Sequence, residues 1–141
     1  MTKQEMYDRM YMDLAARTAA MSYDQRRKVG CIIVLPNGLL SQGWNGMPSG
    51  MTNVCQTEVD GELVTKPEVI HAEANALDKL TNSTLSSTGS TVYVTASPCM
   101  SCAIRLHGAK IARLVYRDDY RIRDGLDFLR DRGVLIHKLE M

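Results

Sequence analysis

Two short stretches, His71-Ala72-Glu73 and Pro98-Cys99-Met100-Ser101-Cys102, constrain this chain more than anything else in it. Together they offer one imidazole, two thiols and one carboxylate. One imidazole and two thiols can hold a zinc ion and leave its fourth position open, the pattern of a reactive site rather than a structural one. To act as one site, the two stretches must sit at the same end of neighbouring elements.

The elements around them follow from periodicity and turn chemistry. Residues Lys3 to about Ala20 read as a helix, opened by the capping-box pair Thr2 and Glu5. Met6, Met10 and Leu14, widened by Tyr7, Tyr11 and Ala15, form a stripe that suits core or subunit interface. Val29 to Leu35 and Leu39 to Trp44 read as strands joined at Pro36-Asn37-Gly38, so they form a hairpin. Gly43 to Gly50 holds three glycines and Pro48 in eight residues, and reads as a shaped loop. Such a loop is either a complicated turn or a backbone cradle for a small ligand, with Asn45 offering a two-way amide. Cys55 to Ile70 reads as a mostly exposed insertion with a small hairpin turn at Asp60-Gly61.

From His71 onward, helix and strand alternate. A helix over His71–Leu80 packs Ala72, Ala76, Leu77 and Leu80. A strand over Thr91–Thr95 is rich in β-branched residues. A helix follows from Cys99 to about His107, with Pro98 in its tolerant first turn and Gly108 as its stop. A strand over Ile111–Tyr116, a helix over Asp124–Asp131 and a strand over Val134–Lys138 complete the order. Five strands in this order predict one α/β domain over residues 1–141, a three-layer α/β/α sandwich with a mixed five-stranded sheet.

In that arrangement the metal-binding candidates fall at two helix N-termini. Cys99 and Cys102 lie one helical turn apart, so both sulfurs can point the same way, and the positive end of the helix dipole favours their thiolates. Two thiolates and a neutral His71 would balance a Zn²⁺ ion, and water bound to it would ionise near neutral pH. Glu73, two residues from His71, can reach over the metal without ligating it. It can then move a proton from that water to a ring nitrogen and on to a departing amine. This is chemistry for hydrolysing an amidine such as the C4–N4 unit of cytosine.

Composition narrows the partner. The chain carries 17 basic and 16 acidic residues, a net charge of +1, which disfavours a long polynucleotide. Arg26-Arg27-Lys28 is a local exception, read either as a solvated charge run or as an anion site. The first residues lack an apolar signal-peptide core and no apolar run approaches a bilayer's thickness. Two of the four cysteines belong to the Cys-x-x-Cys pair, so no disulfide framework is expected. The expected location is the cytoplasm, or the host cytoplasm for a viral chain.

The order His-x-Glu, then Pro-Cys-x-x-Cys, matches the zinc deaminase pattern. Nearly the whole chain resembles the deoxycytidylate (dCMP) deaminases of the cytidine deaminase superfamily. The matching pieces are Ser22 with Arg26 ahead of Val29-Gly30-Cys31-Ile32-Ile33-Val34, the loop Gly43-Trp44-Asn45-Gly46-Met47-Pro48-Ser49-Gly50, Ile70 to Leu77, and Tyr93-Val94-Thr95 leading into the cysteine motif. Asp119-Tyr120 and Gly125-Leu126 match more loosely. The resemblance implies hydrolysis of dCMP to dUMP and ammonia, feeding dTMP synthesis, with His71, Cys99 and Cys102 as zinc ligands and Glu73 as proton shuttle. It implies substrate contacts from Asn45, from the Ala72 backbone, and from Arg26, Tyr120 and Arg121 as phosphate candidates. It also implies activation by dCTP and inhibition by dTTP, with Mg²⁺, at a second site involving Asn45 and Gly46, and a hexamer. Many relatives hold a structural zinc just before the His-Ala-Glu stretch. Only Cys55 remains there in this chain, so a second zinc is not expected.

Other readings share parts of this pattern. A deaminase acting on tRNA adenosine or on a free nucleoside or base has the same core motif. A zinc-stabilised binding module would have no use for Glu73. A redox pair would oxidise Cys99 and Cys102 to a disulfide and bind no stoichiometric metal.

Overall fold

The computed structural model describes residues 1–141. The strands β1 (Gly30–Val34), β2 (Leu40–Trp44), β5 (Thr91–Ala96), β6 (Arg113–Asp118) and β7 (Leu135–Lys138) form one five-stranded sheet. Their order is β2-β1-β5-β6-β7. The hairpin β1–β2 is antiparallel, from Gly30 opposite Trp44 to Val34 opposite Leu40. β1 also runs antiparallel to β5, while β5, β6 and β7 are parallel. The sheet is therefore mixed, as the element order predicts, and the parallel half is joined by helical crossovers.

Helix α1 (Lys3–Ala19) covers one face, where Met12 and Ala15 meet Ile32, Tyr93 and Val115. Helices α2 (Ala72–Thr81), α3 (Met100–Gly108) and α4 (Asp124–Asp131) cover the other. There Ala72, Ala76, Ala103, Leu106, Leu126 and Leu129 enclose a core with Cys31, Ile33, Val92, Val94 and Leu114. The two crossovers β5–α3–β6 and β6–α4–β7 place α3 and α4 together on that face.

Three expectations need correction. Met6 and Met10 are each 50% exposed, so of the two readings, core or subunit interface, the core one fails; α1 instead buries Asp8, Met12, Ala15, Thr18 and Ala19. The cause is a buried ion pair: Arg113 grips Asp8 through two bonds, 2.8 and 2.7 Å, and the Tyr93 hydroxyl donates to Asp8 at 2.7 Å. These bonds turn a charged residue inward and rotate the apolar stripe with it. Next, β6 begins at Arg113 rather than Ile111; Ile111 is buried ahead of the strand, and the β5 pairing starts with Thr91 opposite Arg113. Finally, Pro98 precedes the first turn of α3 rather than lying in it, because Cys99 is the N-cap.

The stretch expected to be an exposed insertion is a separate hairpin, β3 (Gln56–Val59) and β4 (Glu62–Thr65). Asp60 and Gly61 both have positive φ, as a two-residue hairpin turn demands. Both strands are exposed except at Gln56.

Candidate active site

His71 is the N-cap of α2, and Cys99 is the N-cap of α3. Glu73 and Cys102 follow in the first turns of the same helices. Two glycines let these helices come close enough. A Cβ on Gly43 in β2 would overlap the backbone of Ala72 and Ala76, and one on Gly125 in α4 would overlap the carbonyls of Pro98 and Cys99. Each glycine thus seats a segment that carries a ligand candidate.

The seating brings His71, Cys99 and Cys102 into one cluster, with a ligand atom from each within 4.8 Å of the others. His71 Nδ1 lies 3.2 Å from Cys102 Sγ and 3.5 Å from Cys99 Sγ. Ligands around a tetrahedral zinc are about 3.5 Å apart for a nitrogen–sulfur pair, given the usual bond lengths. The donor set therefore fits Zn²⁺ in type, number and spacing. Without a cation between them the two thiols are driven in opposite directions. Hydrogen bonds from the Cys102 thiol and the His71 ring pull the Cys99 thiol down to about 3. The Cys102 thiol, hydrogen-bonded to Cys99 and largely buried, is pushed far above its usual value.

Glu73 stands outside that cluster but lines the same cavity. It is 5% exposed, and burial raises its carboxyl from the ordinary value to about 7. A carboxyl held there can both accept and return a proton near neutral pH.

The cavity measures about 570 Å³, and Arg26, Arg27 and Arg121 line it together with residues of this cluster. Arg26, Asn45, Ala72, Tyr120 and Arg121, all named from the sequence, line it, as do His71 and Cys99. Gly46 does not. Its backbone instead bridges Ile70, with N–H to carbonyl distances of 3.1 and 2.8 Å, and so ties the glycine-rich loop to the residue before His71. The Asn45 side chain is partly committed. Its Oδ1 accepts from Val29 N–H at 2.9 Å and its Nδ2 donates to the Arg27 carbonyl at 2.9 Å. One N–H of that amide is left for a ligand.

Several cavity residues were not singled out from the sequence. Asp24 lines the wall, and its Oδ1 accepts from the backbone N–H groups of Arg26 and Arg27 at 2.8 and 2.9 Å. An Asp two residues before a basic pair is an Asx-turn signal, which could have exposed it. Ser97 accepts from Tyr120 N–H at 2.7 Å and so holds the loop after β6. Nothing in the local pattern flags Ser97, because its partner lies 23 residues away. Asp119, which entered only through the looser Asp119-Tyr120 match, is bonded to Lys138 Nζ at 2.9 Å.

Residues 5–118 match the family model described as the cytidine and deoxycytidylate deaminase zinc-binding region. The chain belongs to this deaminase family. It is similar to the dCMP deaminase of the cyanophage S-TIM5, solved in complex with dCMP and dUMP. The two share 41% identity and a TM-score of 0.89, covering 99% of each chain. The deoxycytidylate deaminase of Mycobacterium phage D29 is 31% identical over 78% of this chain and 93% of its own length. That of Saccharomyces cerevisiae is 28% identical over 94% of this chain but only 44% of its own. The chain thus spans less than half of that yeast relative. No helix of the family member described here is long and apolar enough to cross a membrane.

Proposed function

We propose that this chain is a zinc-dependent dCMP deaminase, converting dCMP and water to dUMP and ammonia and so supplying dUMP for dTMP synthesis. The observation that carries the reading is the shared cavity: His71, Cys99 and the buried Glu73 line it together with Arg26, Arg27 and Arg121. Metal-binding and proton-moving groups in one cavity with guanidinium groups for a 5′-phosphate is the set a pyrimidine monophosphate requires. The similarity to a phage dCMP deaminase across 99% of both chains supports the same substrate.

His71, Cys99 and Cys102 would hold the metal, which supplies a Lewis acid that acidifies the attacking water. Glu73 takes a proton from that water and delivers it to N3 of the cytosine ring. After water adds at C4, the same carboxyl carries a proton to the leaving amino nitrogen. Its burial suits both steps, since a carboxyl raised to about 7 holds and releases a proton at similar cost. The Ala72 backbone, at the cavity wall beside Glu73, reads the base, and the free N–H of Asn45 faces the sugar. Arg26 supplies a guanidinium for the phosphate, with Arg121 and Tyr120 on the opposite loop.

Regulation by dCTP and dTTP, with Mg²⁺, belongs to the same reading, as do a hexameric assembly and a cytoplasmic location. The bridge between Gly46 and Ile70 supports it, since a nucleotide held at the Asn45–Gly46 loop would bear on the residue next to His71. The deciding experiment measures ammonia release from dCMP, dCTP, deoxycytidine and tRNA, with and without dCTP and dTTP as effectors. Turnover of dCMP, with one zinc per chain by elemental analysis, is the expected result. Turnover of tRNA or deoxycytidine alone would refute the substrate, and a Cys99–Cys102 disulfide without metal would refute the chemistry.

A further inference from the structure

Gln56 opens β3 and does not line the cavity, yet it is only 5% exposed in an otherwise exposed hairpin. Its amide is engaged on both sides. Oε1 accepts from Gln25 N–H at 3.1 Å. Nε2 donates to Asp24 Oδ2 at 2.9 Å and to Thr65 Oγ1 at 3.4 Å. Asp24 in turn uses its other oxygen to fold the chain, accepting from the N–H groups of Arg26 and Arg27. The far end of the segment is held by Asn45, through the Arg27 carbonyl and Val29 N–H. The backbone under the two arginines is therefore gripped twice, once from the loop after β2 and once from β3.

The two grips differ in what they hold. Asn45 belongs to the cavity wall, whereas Gln56 touches neither arginine and reaches them through Asp24 and the Gln25 N–H. Asp24 is 6% exposed, and a buried carboxylate needs donors on both oxygens. The N–H groups of Arg26 and Arg27 serve one oxygen, and Gln56 serves the other. An amide suits this place because it donates to the carboxylate and accepts from Gln25 at once.

We propose that Gln56 is a positioning residue for the phosphate end of the cavity: by fixing Asp24, it fixes the Arg26–Arg27 backbone and sets affinity for a phosphorylated substrate. The inference rests on the reading of dCMP as substrate. It gives the β3–β4 hairpin a function in specificity, with the chemistry at Glu73 left alone. Long guanidinium side chains bind an anion tightly only when the backbone beneath them is pre-set, since ordering on binding otherwise consumes affinity.

The test compares kcat and KM for dCMP and for deoxycytidine, which lacks the phosphate, in the wild type, Gln56→Ala, Gln56→Glu and the double variant Asp24→Asn with Gln56→Glu. Loss of a hydrogen bond to a charged group predicts a KM for dCMP raised about 10-fold in Gln56→Ala, with kcat within about twofold. Deoxycytidine kinetics should stay within about twofold, because the missing phosphate never used the arginines. Gln56→Glu should do worse, since it sets a second carboxylate against Asp24. In the double variant the introduced amide donates to the introduced carboxylate, so donor and acceptor exchange places. The amide oxygen still accepts from Arg26 and Arg27, and KM should return to within about threefold of the wild type. Should Gln56→Ala fail to fold, Gln56→Met keeps the volume without the amide and replaces it. Equal losses on both substrates, or a double variant no better than Gln56→Glu, would leave Gln56 a purely structural residue and overturn the proposal. An unchanged KM in Gln56→Ala beside normal wild-type turnover sinks this inference alone. No wild-type turnover of dCMP sinks the substrate reading and this inference with it.

Discussion

His71 and Cys99 cap two helices that are seated on the sheet, whereas Arg26 and Arg27 stand on the loop between α1 and β1, and Arg121 on the loop between β6 and α4. The first end of the cavity is held by packing: Gly43 and Gly125 let backbone meet backbone, and Ala72, Ala76 and Ala103 are wholly buried. The second end is held by hydrogen bonds among Asp24, Asn45, Gln56 and Ser97. The difference suits the two tasks. Proposed bond-making at C4 needs atoms fixed to a fraction of an ångström, which packed helix ends supply. A phosphate can be met by flexible arginines, provided their backbone is in place.

The comparison predicts that damage at the two ends shows up in different constants. Glu73→Gln keeps shape and hydrogen bonding but cannot accept or return the proton. It should lower kcat by about 10³-fold, with KM for dCMP nearly unchanged and full zinc content by elemental analysis. Full activity in this variant would remove Glu73 from the mechanism.

The opposite face of the sheet offers a control that touches neither end. Asp8, 2% exposed, lies against Arg113, the Tyr93 hydroxyl and Gln4 Nε2 at 2.9 Å. Burial alone would raise its carboxyl; those donors outweigh burial and hold it below the usual carboxylate range. A carboxyl lowered by folding adds stability above its unfolded pKa, and that stability disappears as pH falls through the folded value. Asp8→Asn should therefore cost about 3 kcal/mol at neutral pH, the lower part of the range for breaking a buried pair. Denaturant melts should show that gap narrowing as pH drops below about 4. Both kcat and KM should stay near wild type at temperatures where the variant is folded. A selective loss of dCMP affinity would show that α1 supports the cavity after all.

Gly125→Ala tests the packed end without touching a proposed ligand. The added methyl must displace the carbonyls of Pro98 and Cys99. Overpacking of this kind costs about 2 kcal/mol, and here it should appear as faster loss of zinc to a chelator. Unaltered zinc retention would mean that α4 gives way instead of Cys99.

The sequence showed these regions unequally, for physical reasons. A metal set needs particular residue types at helical spacing, so His71, Cys99 and Cys102 could be read directly, and their helix ends followed from the strand–helix alternation. The hairpin turn at Asp60-Gly61 was legible because two positive φ values require such residues. Of the two readings of the α1 stripe, the core one fails at Met6 and Met10, which are exposed while Asp8 is buried, because the partner of Asp8 is Arg113, on β6. Gln56 was hidden in the same way among exposed hairpin residues, since Asp24 lies on another loop. Periodicity reports which side of an element is apolar. It cannot report a buried polar contact whose other half lies dozens of residues away.

The smallest expected effect belongs to the loop end. Arg26→Ala removes a guanidinium from the cavity rim and leaves Arg27, Arg121 and the Asp24 turn in place. A charge-assisted contact to phosphate corresponds to about a 20-fold rise in KM for dCMP, with kcat within about twofold. Deoxycytidine should be handled as by the wild type, so the preference for dCMP shrinks by the same factor. The salt dependence of KM should weaken as well, because one exposed charge no longer attracts the phosphate. If kcat fell instead while KM held, Arg26 would act at the packed end of the cavity, and the division between helix-built chemistry and loop-built binding would fail there.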